Sequence, residues 1–186
     1  INNLYKNCEG SCPERENIIP VFSISRIEIE NKGYPQLLDA LVLQDHLLRH
    51  RMMGQRHADQ TRVVCFLIAS HGPKSKDKLP EGFPINLPIE VLLGDEIRLE
   101  NMINDRRLNK DELISGRRSV AAVLYPQWLG PNDGGLGMRT DEVMAGCVAG
   151  IFPSQYEPFL LTALEAGREG TPSIVSRSAG FSDALK

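Results

Sequence analysis

Two glutamates, Glu157 and Glu165, frame the segment PSQYEPFLLTALE at 153–165. Pro158 suits the first turn of a helix, because its missing N–H would go unused there. The residue before a proline is pushed out of the helical region, so Glu157 stands ahead of that helix. The free N–H groups of Phe159, Leu160 and Leu161 then face the same place, and the helix dipole favours an anion there. Thr162 adds a hydroxyl. Glu165 follows about two turns on, roughly 10 Å along the axis. Two carboxylates so placed suit a ligand with polar groups at both ends, such as a hexose hydroxyl and a ribose diol. Spacing alone is equally met by two unrelated surface carboxylates. Arg26 and Lys32, in SRIEIENKG at 25–33, are two cations without an obvious local need for both. Together they suit a phosphate or pyrophosphate. Taken singly, each is also explained as a solvated cation or an ion pair with Glu28 or Glu30.

Other candidates carry less. His46 and His50 share a helix face but lack a third metal ligand, so no metal site is expected. Cys8 and Cys12 could open a zinc site, yet no second pair follows. Cys65 and Cys147 sit in or beside apolar strands. Four cysteines in this pattern read as free thiols in a reduced, cytoplasmic protein. The loop LGPNDGGLG at 129–137 is glycine-rich but lacks the Lys-Ser/Thr of a Walker loop, and it reads as mobile. Ser154 and Ser178 have no nucleophile-elbow context.

The elements that must position these residues alternate. Strands are expected at 18–25 (IIPVFSIS), 62–69 (RVVCFLIA), 119–125 (SVAAVLY), 148–152 (VAGIF) and 172–176 (PSIVS). Helices are expected at 35–51, where Leu37, Leu38, Leu41, Leu47 and Leu48 recur at helical spacing, and at 89–107, 140–145 and 158–168. Residues 72–88 hold four prolines and several lysines and read as a loop or lid. Strand, helix, strand in repetition means an α/β fold: a Rossmann-like parallel sheet, helices on both faces, right-handed crossovers. Ligands of such sheets bind beyond the strands' carboxyl ends. There the sequence places Ser25-Arg26, Ser70-His71-Gly72, Tyr125-Pro126-Gln127-Trp128, Pro153 to Glu157, and Arg177 to Gly180.

The 186 residues make one domain, with 41 % hydrophobic and 24 % charged residues. Those ordinary values exclude disorder and coiled coil. A net charge of −3 argues against a nucleic-acid partner. No apolar run reaches membrane-spanning length, so no membrane partner is expected. Residues 1–17 are polar and read as a linker or N-terminal extension. Both ends read as cuts through a longer, two-domain protein, with 18–186 its nucleotide-sugar-binding domain.

The segment GIFPSQYEPFLLTALEAGREGTPSIVSRSAGF resembles the donor-site region of retaining GT-B glycosyltransferases, and most of all the glycogen (starch) synthases. SRIEIENKG resembles their Arg-Tyr-Glu-Phe-x-Asn-Lys-Gly element. The Leu-rich helix ending HLLRHR, the strand VVCFLIAS and the run TDEVMAGCVAGIFPS are similar to the same family. The likeness covers roughly residues 18–183.

That resemblance implies the C-terminal half of a GT-B enzyme moving glucose from UDP- or ADP-glucose to a glucan. Arg26 and Lys32 would neutralise the diphosphate, and Glu157 would contact the hexose. Glu165 would hold the ribose, and backbone amides near Leu160, Leu161 and Thr162 the phosphate. Arg26, Lys32 and Glu157 would be catalytic, without metal or cofactor, because cations stabilise the leaving group. The acceptor would attack from the side the diphosphate leaves. Partners would be the nucleotide sugar, a sugar acceptor and an N-terminal GT-B domain, with a homo-oligomer also open. Three departures stand out. Leu160 replaces a usual glycine; Ser25 and Ile27 replace small and aromatic residues beside the arginine. Nothing resembles the acceptor domain with its Gly-rich loop and histidine. Another hexose donor, a small acceptor, or a non-catalytic sugar-nucleotide-binding module are the alternatives.

Overall fold

A computed structural model describes residues 17–54, 60–70, 92, 94–133, 135–178 and 180. The expected linker (all but Asn17), Cys8, Cys12, His71 and the 72–88 lid lie outside the described residues. Five strands, β1 (Ile18–Arg26), β2 (Arg62–Ser70), β3 (Val120–Tyr125), β4 (Ala149–Phe152) and β5 (Ser173–Val175), form one sheet. All pairings are parallel, in the order β3-β2-β1-β4-β5. The helices are α1 (Tyr34–Arg51), α2 (Gly94–Asp105), α3 (Lys110–Ile114), α4 (Thr140–Ala145) and α5 (Leu161–Arg168).

Strand order reverses between β1 and β4. Right-handed crossovers running outward in opposite directions put α1 and α2 on one face and α5 on the other. The reversal opens a crevice at the carboxyl ends of β1 and β4, where parallel sheets take ligands. Register fixes which residues reach it. Ile18 pairs with Arg62 and Arg26 with Ser70, so β1 and β2 end level. β4 joins β1 through Val21–Ala149 and Phe22–Gly150. Phe22 meets Phe152 edge-on at 5.8 Å between ring centres, which locks the two strands in this register. β2, inside the sheet, is buried from Arg62 to Ala69, and β3, at the sheet's edge, is buried from Val120 to Tyr125, each with apolar residues on both faces.

Three expectations needed correction. The helix expected over 89–107 is described as α2 from Gly94 to Asp105, and α3 follows separately. Asn109 starts α3 by accepting the Glu112 N–H on its side chain, an N-cap that opens a new helix. α5 begins at Leu161, not Pro158. The backbone of Glu157 is held instead by the Gly180 N–H (2.9 Å), and a Cβ at Gly180 would collide with the Pro158 carbonyl. That bridge outweighs the preference of proline for a first turn.

The glycine-rich loop, expected to be mobile, is fastened. Asp133 accepts N–H bonds from Gly130 (3.2 Å), Gly135 (2.8 Å) and Gly137 (3.0 Å). Tyr125 takes the Leu136 N–H on its hydroxyl (3.1 Å) and donates that hydroxyl to Asp133. Burial works to raise the Asp133 pKa, but these bonds favour the charged form and carry it below the usual carboxylate range. A depressed carboxylate stabilises the fold above its unfolded pKa and loses that contribution as pH falls through the folded value. Asp133→Asn is therefore expected to lower stability by about 1–2 kcal/mol at neutral pH. The gap from the natural protein should close below about pH 4, as urea titrations at several pH values will read out.

Cys65 and Cys147 are free thiols, as expected. Burial pushes them up to about 12 and about 11, so neither is a thiolate at neutral pH.

Candidate donor-binding site

Three loops converge on the crevice. The first leaves β1 at Arg26 and turns tightly, with Lys32 N–H on the Glu28 carbonyl (2.9 Å) and Gly33 N–H on that of Glu30 (3.1 Å). Ile27 and Ile29 alternate into the core and anchor the turn. Gly33 has φ +67°, and a Cβ there would run into the Pro153 carbonyl. Glycine is thus required twice over, by conformation and by the close approach of the second loop. That loop, Pro153–Leu160, is tied back where Gln155 donates its N–H to the Asn31 carbonyl (2.7 Å). The third loop follows β5, where Ser176 donates its hydroxyl to the Ser154 carbonyl.

Below them Tyr34 is fully buried at the start of α1. Its hydroxyl lies 2.7 Å from Ser25 Oγ. Ser25 Oγ also donates to the Arg26 carbonyl (3.0 Å). Burial pushes Tyr34 up to about 12, and it stays protonated. The floor under Arg26 is therefore a fixed hydrogen-bonded chain.

The first two loops, the start of α5 and the segment after β3 line two adjoining cavities of about 300 Å³ each. Ile24, Ser25, Arg26 and Thr162 belong to both walls. The first cavity adds Lys32, Glu157, Leu160 and Leu161. The second adds Gln127, Trp128 and Glu165. Arg26 and Lys32 thus face one space together with the first turn of α5. Because α5 starts at Leu161, the amides without an intrahelical acceptor are those of Leu161 and Thr162, not of Phe159. Glu157 and Glu165 line different cavities, and Arg26 lines both.

The two cations differ. Lys32 is 8 % exposed and its Nζ forms an ion pair with Glu157. Arg26 is mostly solvated and pairs loosely with Glu28 (3.3 Å), which Asn31 also holds (2.8 Å). The ion pair considered from sequence for Arg26 is present, alongside its place in both walls. Leu160 caps α5 in the left-handed conformation (φ 47°, ψ 51°) with its side chain buried. Its backbone keeps the shape a glycine would give, at a cost of about 1–2 kcal/mol.

Gln127 and Trp128 were not singled out from sequence. Their signal was position, just past the carboxyl end of the third strand. Among the described residues, no group of three or more His, Cys, Asp or Glu could hold a metal ion, and no helix is long and apolar enough to cross a membrane.

The glycogen synthase family model matches residues 99–185. Glycogen [starch] synthase of Dictyostelium discoideum is 33 % identical over 91 % of this chain, and the chain spans 25 % of that relative's length. Glycogen [starch] synthase isoform 2 of Saccharomyces cerevisiae is 38 % identical over 42 % of the chain, which is 12 % of its own length. Among solved structures, an α,α-trehalose-phosphate synthase (UDP-forming) from Burkholderia xenovorans superposes with TM-score 0.51. It is 14 % identical, with 92 % of this chain and 32 % of that one covered. A trehalose-6-phosphate synthase gives the same score at 15 % identity, over 92 % and 33 %. By sequence the chain is thus similar to the glycogen synthases over most of its length, and by fold it is a Rossmann-like α/β chain with an all-parallel sheet.

Proposed function

We propose that this chain binds the donor of a retaining glycosyltransferase that moves glucose from UDP- or ADP-glucose to a glucan. The observation that carries the reading is the pair of cavities sharing Arg26 and Thr162, with Glu157 in one and Glu165 in the other. A nucleotide sugar has that same sequence of groups: hexose, diphosphate, ribose, base. Laid along the groove, its hexose meets Glu157, its diphosphate meets Arg26, Lys32 and the amides of Leu161 and Thr162, and its ribose meets Glu165. As the anomeric C–O bond breaks, its electron pair passes to the diphosphate oxygen. Cations and helix amides already aimed there stabilise that charge without reorganising. No metal or other cofactor is invoked.

The acceptor enters from the side the diphosphate leaves, against a surface this groove does not supply. We assign that surface to an N-terminal GT-B domain. Holding two reactants in place is worth several kcal/mol, and a half cleft open to water forgoes it. Leu160 favours a second reading, a non-catalytic sugar-nucleotide-binding module, because its side chain occupies a position where the family carries glycine.

Calorimetry with UDP, ADP and their glucose conjugates, followed by a transfer assay on a glucan primer, tests the proposal. Nucleotide binding, with no transfer until an acceptor domain is present, is the expected result. Absence of binding at millimolar nucleotide overturns it. Binding without transfer even beside an acceptor domain selects the module.

A further inference from the structure

The second cavity contains a feature that the diphosphate and ribose leave unused. Gln127 follows β3 and is 5 % exposed, yet its Oε1 has no hydrogen-bond partner and no access to water. Buried carboxamides ordinarily satisfy both ends, because an orphaned acceptor forfeits the hydrogen bond it made with water in the unfolded chain. Gln127 nonetheless lines the same cavity as Trp128 and Glu165. Trp128 is 63 % exposed at the mouth and offers a flat apolar surface. The carboxamide's terminal torsion is broad, and a turn about it would present Oε1 to the cavity that Gln127 lines.

Resting on the proposed donor site, we propose that Gln127 selects the donor's nucleobase, accepting an N–H from the base edge at Oε1 while the ring lies against Trp128. A ribose held at Glu165 carries its base toward this end of the groove, away from the hexose at Glu157. The base edge then gives the orphaned oxygen the donor it lacks. A carboxamide presents one acceptor and one donor side by side. That pair matches the imide N–H and carbonyl of uracil, or the amino group and ring nitrogen of adenine, and leaves an N-alkylated edge unmatched. Sites built to hydrogen-bond a ligand N–H discriminate strongly, because the analogue leaves the protein group unpaired.

The experiment is calorimetry on the purified protein with UDP against N3-methyl-UDP, and ADP against N6,N6-dimethyl-ADP. The same titrations are run on Gln127→Leu, whose fold is checked by thermal denaturation. For the nucleotide that binds, methylation is expected to weaken affinity at least about tenfold. In Gln127→Leu the parent nucleotide should fall to the level of its analogue. Equal binding of parent and analogue by the natural protein overturns the assignment while leaving the donor site standing. So does a methylation penalty undiminished in Gln127→Leu, which would be steric. Should that variant fail to fold, Gln127→Asn, which withdraws the carboxamide by one methylene, takes its place in the same comparison. Binding of neither UDP nor ADP overturns the donor site itself, and this assignment with it.

Discussion

Lys32→Ala is expected to weaken nucleoside diphosphate binding by about ten- to a hundredfold and, beside an acceptor domain, to lower the proposed transfer by about 10²–10³. Lys32 is the buried cation of the pair, so its charge acts through a medium less screening than water. Removing it deletes an attraction and also strands an anion. Glu157 now loses the ammonium that faces it and presents a bare carboxylate near the incoming diphosphate. The two losses can be separated. Lys32→Ala combined with Glu157→Gln removes the stranded charge and should recover part of the nucleotide affinity, but none of the turnover. Lys32→Arg keeps the charge but puts a broad planar fork where a compact ammonium fitted, and should recover little. Calorimetry and initial rates report the two quantities apart. Unchanged turnover in Lys32→Ala would remove Lys32 from the catalytic machinery. Arg26→Ala should do less to binding, since Arg26 is already solvated and shared with Glu28.

The site could be read from sequence as far as it depends on strand ends. Apolar runs of strand length separated by helical periodicity lead to a parallel sheet, and such a sheet has one place for ligands. That logic brought Arg26, Lys32, Glu157 and Glu165 to the same rim, and the structure places them along one groove. What escaped was decided by contacts distant in sequence. Pro158 signals a helix start, but the Gly180–Glu157 bridge joins residues on different sides of β5. Asp133 looks like an ordinary turn residue until its three glycine partners and Tyr125 close around it. Gln127 reads as a polar residue at a strand end. Its orphaned oxygen exists only once the surrounding core is assembled. Periodicity reports which face is inward, and it cannot report which polar group on that face has found a partner.

Asp45 is the extreme case, and its replacement should give the largest loss of stability. It lies on the Leu-rich helix α1 and is completely buried. No local pattern explains a carboxylate there. Its partners come from the start of β3, more than seventy residues on: the Ser119 N–H at 2.6 Å and the Arg118 guanidinium at 2.8 Å. Arg49, one turn along the same helix, adds a longer contact at 3.9 Å. Asp45 thereby pins the far end of α1 to the amino end of β3. Asp45→Ala leaves a largely buried guanidinium and a backbone N–H without their acceptor. Breaking such a pair from one side costs about 3–5 kcal/mol, most of it the stranded charge. At this chain length each kcal/mol moves the midpoint by about 2–4 °C, so a fall of roughly 6–20 °C is expected. Asp45→Asn keeps an acceptor for Ser119 and should cost about half as much. Nucleotide affinity should hold in whatever fraction stays folded. α1 is eighteen residues long, and Asp45 sits about 16 Å along the axis from Tyr34, beneath the groove. Thermal denaturation with and without nucleotide checks both halves. A midpoint unchanged in Asp45→Ala would mean that the carboxylate's burial is offset elsewhere, and that α1 is held by its leucines alone.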